Sequence, residues 1–589
     1  MAVSLGASKQ GLELVDQARK KKGWAATAAA WYQDAKTSAA TLKRFRRGKP
    51  IQQDAFIAIC KAVGIENWEE IVDESPNQPE VSPVVCSVYN EETWVGREEL
   101  IESLGHKLQR GYRVLVLAGI TGIGKTALAE RLALEMPRKW IKFCRINFDD
   151  RGLGRDFASC AAYLLTKLGT FLTPEDRKPE RLLSHLVQKL RGNRYLVKMD
   201  SLEMLLQGDE QTGWHEFQDE KWLDFFQQIL AGEDCQSQFF VTSQALPAEL
   251  ETIGSRYPNF WHCQDLRGLT ETEQLQLFQK NGIETGSEVA DYYLKRIGKL
   301  YEGHPLVLQV IAGDILNKPF SGNVKLYWQQ YQREFAEIEK DRTQQYSGTS
   351  HQLLQLRVKE RVKESLQQLP PDAYTLLCRS SVYRRPVPEI LWLAILENLP
   401  DLQKRAALNL LKSRYLVEEE VETYINTSSI LIRQHNLIRS VAYDLLRSEP
   451  GALKASEYMA SCLWQTIYQP PQPDAPDSEQ LRGYIESLHH LCEVEAWEEA
   501  SKILLFTRTD KFNNRALYTQ LLVWHSEEII ELCSRLLSKL TPSMNAIFLK
   551  LLGNAYYLQG DYYQAIEYHQ QSLTIVSKIV GHHTQEIVG

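Results

Sequence analysis

The chain has 589 residues, enough for about four domains at roughly 100–200 residues each. Its composition, 43% hydrophobic and 24% charged, is that of a soluble globular protein, and no stretch approaches the roughly 18–20 apolar residues that a membrane helix needs, so a membrane partner is not expected. Ten cysteines without a C-x-x-C pair or histidines at metal-ligand spacing argue against a zinc framework or a disulfide scaffold.

The N-terminus lacks an apolar signal core and is interrupted by Arg19-Lys20-Lys21-Lys22, which with the scattered thiols predicts a cytoplasmic protein. The net charge of −7 hides an asymmetry. Residues 1–50 carry eleven Lys/Arg and three Asp/Glu, a balance of +8, which leaves −15 on the remainder. A basic head on an acidic body predicts an anionic partner for the head.

Residues 1–74 read as a compact group of short helices: Gly11–Lys22, Ala25–Asp34, a third from a Thr37 or Ser38 cap to Arg46, then Gln53–Val63 and Asn67–Val72. Gly48 and Pro50 stop the third helix. Two helices joined by a short turn, the second ending Lys43-Arg44-Phe45-Arg46-Arg47-Gly48-Lys49, form a helix-turn-helix pattern that resembles the repressor-like family. In such a module Ser38, Thr41, Lys43, Arg44, Arg46, Arg47 and Lys49 would contact DNA, while Ala39, Leu42 and Phe45 face the core. A protein-interaction helix bundle is the competing reading. Residues 75–92, with Pro76, Pro79 and Pro83, read as a linker.

From 93 to 267 the pattern alternates strands and helices. Candidate strands are Arg113–Ala118, Trp140–Asn147, Tyr195–Asp200, Gln238–Thr242 and Phe260–Leu266, which predicts a parallel sheet with helices on both faces. Gly119-Ile120-Thr121-Gly122-Ile123-Gly124-Lys125-Thr126 spells G-x-x-x-x-G-K-T between the first strand and a helix through Ala127–Ala133. That is the phosphate-binding loop in the setting it needs. Glycines turn backbone N–H groups inward, the helix N-terminus adds its positive end, Lys125 reaches the β- and γ-phosphates, and Thr126 holds Mg²⁺. Asp200, at the end of Tyr195-Leu196-Val197-Lys198-Met199-Asp200, is the expected second Mg²⁺ partner, and Glu203 could polarise an attacking water. Lys198 inside this strand is unexpected, because a buried lysine is costly unless paired.

Helical periodicity dominates after Gly268. Boundary signals are Leu369-Pro370-Pro371-Asp372 and the proline-rich stretch from Gln469 to Pro476. Leu552-Gly553, Tyr556, Gly560-Asp561, Tyr562 and Ala565 fall at the spacings of a tetratricopeptide helix pair, and Trp497-Glu498-Glu499-Ala500 is a degenerate version. A single repeat leaves a face uncovered, so further repeats are expected in the natural protein.

Trp94-Val95-Gly96-Arg97-Glu98, the loop, the Asp200 strand, the Gln238–Gln244 strand ending Thr242-Ser243, Gly303-His304-Pro305-Leu306 and Gln434-His435-Asn436 follow one another in an order that resembles the NB-ARC class of STAND ATPases. The resemblance covers about residues 93–450. It implies a multidomain α/β plus α fold: a P-loop nucleotide-binding domain (93–267), a small helical domain (268–352), a winged-helix domain (353–448) and a solenoid-like repeat domain (449–589). It implies ADP or ATP with Mg²⁺ as cofactors. Lys125, Asp200 and Glu203 would carry slow hydrolysis. Val95, Arg97, Gly119, Thr121, Gly122, Ile123, Gly124, Lys125, Thr126, Ala127, Thr242, Ser243, Pro305, Leu306 and His435 would line the nucleotide.

The function implied is a switch, closed with ADP and self-assembling with ATP. Its repeats would sense a protein or peptide, and its head would act on DNA or recruit a protein effector; a constitutive ATPase is the third alternative. Four positions depart from the family pattern: Gln244 stands for an Arg, Ser201 follows Asp200 in place of a second acid or Asn, and Gln434 and Asn436 flank His435 in place of Met and Asp.

Overall fold

The structure is a computed structural model that describes residues 4–588 except 6, 8, 25–27, 47–50, 66, 72–88, 90, 137–139, 150–154, 171, 173, 210–212, 233, 345–349, 424–427, 470–476, 506–525 and 560. Its internal contacts divide the chain into two compact units, Met1–Ser82 and Pro83–Gly589. The expected linker prolines Pro76, Pro79 and Pro83, those at 470–476, and Gly560 lie outside the described residues.

The first unit packs helices Lys9–Lys21, Ala29–Asp34, Ala39–Phe45 and Gln53–Ala62 around Trp31, Leu42, Phe45 and Phe56. Phe45 and Phe56 meet edge to face with centroids 5.1 Å apart, the arrangement their ring quadrupoles favour. Strand β1 (Ser4–Leu5) pairs antiparallel with β2 (Ile51–Gln52). The expected helix Asn67–Val72 is instead a short 3₁₀ turn, Trp68–Ile71. A segment this short cannot complete an α-helical ladder, and the tighter turn suffices to bury Ile71.

In the second unit, β3 (Val114–Ala118), β4 (Lys142–Asn147), β5 (Tyr195–Asp200), β8 (Gln238–Ser243) and β9 (Trp261–Asp265) form one sheet in the order β4-β5-β8-β3-β9, every pair parallel. Between them in sequence, β6 (Leu206–Asp209) and β7 (Gly213–Phe217) form an antiparallel hairpin that the sequence reading did not anticipate. Strand parity sorts the side chains. Val114, Val116, Ile146, Val197, Met199, Phe239 and Val241 join one core with helices Phe157–Lys167, Pro179–Arg191 and Lys221–Ala231. Leu115, Leu117, Leu196 and Phe240 join another with helices Glu98–Gln109 and Lys125–Glu135. Period-two alternation on a sheet covered on both sides explains why the strands read as unbroken apolar runs.

Beyond the sheet, one continuous core runs from Leu269 to Trp464, across the expected boundaries near 352 and 448. It gathers the helices of residues 271–466 and a small antiparallel sheet, β10 (Val387–Pro388), β12 (Ser428–Arg433) and β11 (Glu418–Thr423), in the order β10-β12-β11. Helix Pro305–Leu316 lies at its centre. Asp314 on that helix meets buried Arg361 at 3.5 Å and Arg414 at 3.4 Å, and a Cβ at Gly313 would come within 2.7 Å of the Arg414 backbone. The position of this helix is therefore fixed from several sides.

The last helices pair as Asp477–Glu493 with Trp497–Leu505, and Pro542–Gln559 with Tyr562–Val588. Gly553 sits against the His569 ring, Ala565 is buried, and Tyr556 stacks on Tyr568 at 5.4 Å. Among the described residues no helix is long and apolar enough to cross a membrane.

Candidate functional site

The loop after β3 lies at the C-terminal ends of the strands, where open α/β sheets place their ligand sites. Gly119, Gly122 and Gly124 have φ of 146°, 82° and 96°, a region side chains disfavour. Space is equally restrictive: a Cβ at Gly119 would lie 2.9 Å from Leu266 O, one at Gly122 2.8 Å from His304 Cε1, and one at Gly124 2.9 Å from an Arg97 nitrogen. Gly124 ends the loop as the N-cap of helix Lys125–Glu135, and no side chain caps that helix. Its first N–H groups and positive end thus face the loop. Lys125 Nζ donates to Gly119 O at 2.7 Å and Ile120 O at 3.0 Å, folding the side chain over the loop. Ile123 is buried beneath, and Thr121, Thr126 and Ala127 are half-buried.

Asp200 closes β5. Its Oδ1 accepts from Thr126 Oγ1 at 3.2 Å and from Thr242 Oγ1 at 3.0 Å. Its Oδ2 lies 2.8 Å from Lys198 Nζ and 3.7 Å from Arg145 Nε. Burial acts to raise the Asp200 pKa, but the Lys198 and Arg145 cations prevail and hold it below the usual carboxylate range. Ser201 follows in the left-handed region, φ 61°, with its N–H donating to Thr242 Oγ1 at 3.1 Å. Buried Glu203 is wholly engaged with the end of β8: Oε2 accepts from Ser243 Oγ at 3.3 Å and Gln244 N at 3.1 Å, and Oε1 accepts from Gln244 Nε2 at 3.0 Å. In this arrangement it orders the strand end, with both oxygens occupied. Gln244 also accepts from Gln355 Nε2 at 3.5 Å.

Two remote segments wall the loop. Arg97, at φ 68°, is held by a bond from its N–H to Glu273 Oε1 at 2.7 Å, and its guanidinium donates to Ile123 O at 2.7 Å and Arg267 O at 3.1 Å. Burial brings its pKa down to about 10, so it stays charged at neutral pH. From the other side comes His304, fully buried. Its Nε2 bonds Thr121 O at 2.9 Å, and its Nδ1 accepts from Val307 N at 3.4 Å, which caps helix Pro305–Leu316. That pairing assigns the proton to Nε2. Burial pushes the His304 pKa down to about 4, so the ring is neutral. Pro305 is the first residue of this helix; Leu306 packs on Gly122 and shares a core with Val95.

His435 is half-buried and caps helix Asn436–Ser448, accepting from Leu437 N at 3.2 Å. Burial foremost, with the charges of Arg433 and Lys125, lowers its pKa against the pull of Glu418. Gln434 is buried and donates to Leu377 O at 2.7 Å and Ser380 Oγ at 2.9 Å, fixing the turn that presents His435. Two ion pairs tie this region to the sheet: Arg145–Glu420 at 3.0 Å and Arg439–Asp149 at 3.2 Å.

The structure thus brings together Arg97, Gly119–Thr126, Asp200, Glu203, Thr242, Ser243 and Leu306, with His435 within electrostatic reach of Lys125. Sequence reasoning missed His304, Glu130, Arg145 and Glu273. The signal for His304 was present in Gly303-His304-Pro305, where a histidine precedes a helix-starting proline. In the first unit, Leu42 and Phe45 are buried, and Lys43 and Arg44 are exposed on the other side of the same helix. Ser38 caps that helix through Thr41 N at 3.1 Å. Arg47 and Lys49, and the Ala39 side chain, lie outside the described residues.

The donor set near the loop suits Mg²⁺ in kind, one hydroxyl from Thr126 and one carboxylate from Asp200. Among the described residues no cluster of three or more His, Cys, Asp or Glu could hold a metal by itself.

No protein-family model matches the chain. It is similar to an uncharacterized WD repeat-containing protein of Nostoc sp., 25% identical over 462 residues, which is 71% of this chain and 35% of that protein. The chain therefore spans about a third of the length of that relative. Among solved structures it is similar to a signal transduction ATPase with numerous domains (STAND) with a tetratricopeptide repeat sensor from Pyrococcus horikoshii, with a TM-score of 0.40 at 15% identity over 84% of this chain and 78% of that one. It is also similar to a Walker-type ATPase of Pyrococcus abyssi, with a TM-score of 0.28 at 14% identity over 60% of this chain and 97% of that one.

Proposed function

We propose that the chain is a nucleotide-dependent switch of the signal-transduction ATPase kind. ADP is held in a closed form in which His304 and Arg97 wall the loop, and exchange for ATP releases a form that self-assembles. The observation that carries this reading is the bond from His304 to Thr121 O at 2.9 Å, with Arg97 on the opposite wall of the same loop. The phosphate loop takes its shape from segments far away in sequence, so occupancy of the loop and the position of helix Pro305–Leu316 are energetically coupled.

In this reading the loop amides and Lys125 bind phosphates, Thr126 and Asp200 hold Mg²⁺, Val95, Pro305 and Leu306 border the base, and His435 contacts the β-phosphate. Mg²⁺ would shield phosphate charge when bound. Swinging the population from 1:99 to 99:1 needs the two nucleotides to differ by about 5.5 kcal/mol in their preference for the two forms. Hydrolysis is a slow reset, because Glu203 is occupied by Ser243 and Gln244 and because Gln244 brings no cation to a γ-phosphate.

The head is the output, acting on DNA through Lys43 and Arg44 with their neighbours. Their exposure opposite buried Leu42 and Phe45 supports this over a purely structural helix. The C-terminal helix pairs are the sensor for a protein or peptide.

Two experiments test the reading. Purified protein is examined for bound nucleotide and for ATP-driven assembly by light scattering; nucleotide-free protein that turns over ATP continuously as a monomer would establish a constitutive ATPase instead. Residues 1–82 form a separate compact unit and are titrated against duplex DNA across salt. Binding with a log–log slope near −0.9 per phosphate supports DNA output, and no binding at low salt favours a protein effector.

A further inference from the structure

Glu130 stands on the helix that follows the phosphate loop, fully buried. Its Oε1 lies 2.7 Å from Lys198 Nζ, equally buried, which in turn lies 2.8 Å from Asp200 Oδ2. Its Oε2 accepts from the backbone N–H of Tyr89 at 2.9 Å. A buried carboxylate needs its acceptors satisfied, so these bonds support one another. Tyr89 is the first described residue of the second unit, on the chain that arrives from the head. The next residue of the same helix holds its side chain: Arg131 donates to Tyr89 Oη, and its guanidinium lies 5.3 Å from the ring centroid. Trp94 packs against the ring at 5.6 Å, and Lys280 Nζ donates to Trp94 O at 2.8 Å. Tyr89 is thus fastened by backbone and by ring to one helical turn.

This anchor and the loop share one short helix. Gly124 is its N-cap, and no side chain satisfies its first N–H groups. A phosphate in the loop completes that end, and an empty loop leaves it uncapped. Thr126 and Glu130 are four residues apart and so lie on one face. Each fastens that face to β5: Thr126 through Asp200 Oδ1 at 3.2 Å, Glu130 through Lys198 at 2.7 Å. Order gained at the first turn therefore passes along a packed, hydrogen-bonded element to Glu130 and Arg131 one turn on.

We infer that Tyr89 is a positioning residue of the switch: nucleotide in the loop tightens its bond to Glu130, and emptying the loop loosens it. This rests on the nucleotide-binding reading above and adds the residue at which loop occupancy reaches the segment bearing the head.

The test is hydrogen exchange at the Tyr89 amide of the full chain, read by mass spectrometry of overlapping peptides, with saturating ADP and Mg²⁺ and after their removal. Protection should fall at least about fivefold on removal, the lower end of coupling between linked sites. Coupling is reciprocal, so Tyr89→Pro, which removes the N–H, should weaken ADP binding by about the same factor. Tyr89→Phe keeps the N–H and the ring and should bind ADP like wild type. An anchor that only holds structure would protect the amide equally with and without ADP. Equal protection in wild-type protein that binds ADP overturns the Tyr89 assignment alone. Wild-type protein that binds no ADP overturns the nucleotide-binding reading as well. Because the wild-type comparison needs no variant, it decides the matter even if Tyr89→Pro prevents folding.

Discussion

Arg145 and Glu420 form an ion pair at 3.0 Å that joins β4 of the parallel sheet to β11 of the small antiparallel sheet, while the same guanidinium lies 3.7 Å from Asp200. One side chain thus touches both the candidate phosphate site and the region that presents His435. If the two nucleotide states differ in charge beside Asp200, Arg145 is placed to pass that difference to β11. Glu420→Gln should keep the fold and loosen this link. Both partners are mostly buried, so the closed form should lose about 1–2 kcal/mol, a five- to thirtyfold shift toward opening. Limited proteolysis of the ADP-bound protein should then cut faster in the variant, and ATP-driven assembly should begin at lower ATP. Unchanged rates in both would show that the pair carries no coupling.

The glycine at position 122 is constrained twice, by φ of 82° and by His304 and Leu306 against its missing side chain. Gly122→Ala should destabilise the loop by about 1–3 kcal/mol. Calorimetry should show ADP binding lost or reduced at least about tenfold, since each 1.4 kcal/mol is a factor of ten. The head should unfold as before, because it is a separate compact unit.

His304 makes stability depend on pH. Its folded pKa of about 4 lies below the ordinary 6.5 because burial disfavours the charged ring. The unfolded chain therefore binds the proton first as pH falls, and stability drops between about pH 6.5 and 4. Fully expressed, the loss is on the order of 3 kcal/mol. His435 is shifted in the same direction and adds to it. Thermal unfolding at pH 7 and pH 5 should show a falling midpoint, and His304→Gln, which cannot take up a proton, should reduce the slope. A variant with an unchanged pH slope would contradict the buried, neutral assignment.

In the head, Leu42 and Phe45 are each 1% exposed. Leu42→Ala should cost about 2–5 kcal/mol of head stability by circular dichroism. Lys43→Ala and Arg44→Ala should leave stability within about 0.5 kcal/mol. If the head binds DNA, each should lower the salt slope by about 1.

Much of the fold could be read from the chain. The five strands are apolar runs bounded by loops, and two-sided burial leaves no polar alternation to obscure them; the Tyr195–Asp200 strand was predicted residue for residue. The β6–β7 hairpin was hidden because Gln207-Gly208-Asp209 reads as a turn and its pairing is irregular. The loop was legible because its chemistry is consecutive. Arg145 was not, since it acts on the site through a contact made only after distant segments pack, and for His304 the helix-start signal was visible but its bond to Thr121 was not. Lys198 lies between these cases. Its oddity was visible in the strand, but Glu130 as its partner appears only once the helix after the loop is laid on the β5 face.

The most direct test of the central claim is to denature freshly purified protein and identify what it releases by ion-pair chromatography. ADP is expected at close to one per chain, and its loss in Lys125→Ala. Wild-type protein that releases no nucleotide, and that gains no thermal stability when ADP is added, would contradict that claim.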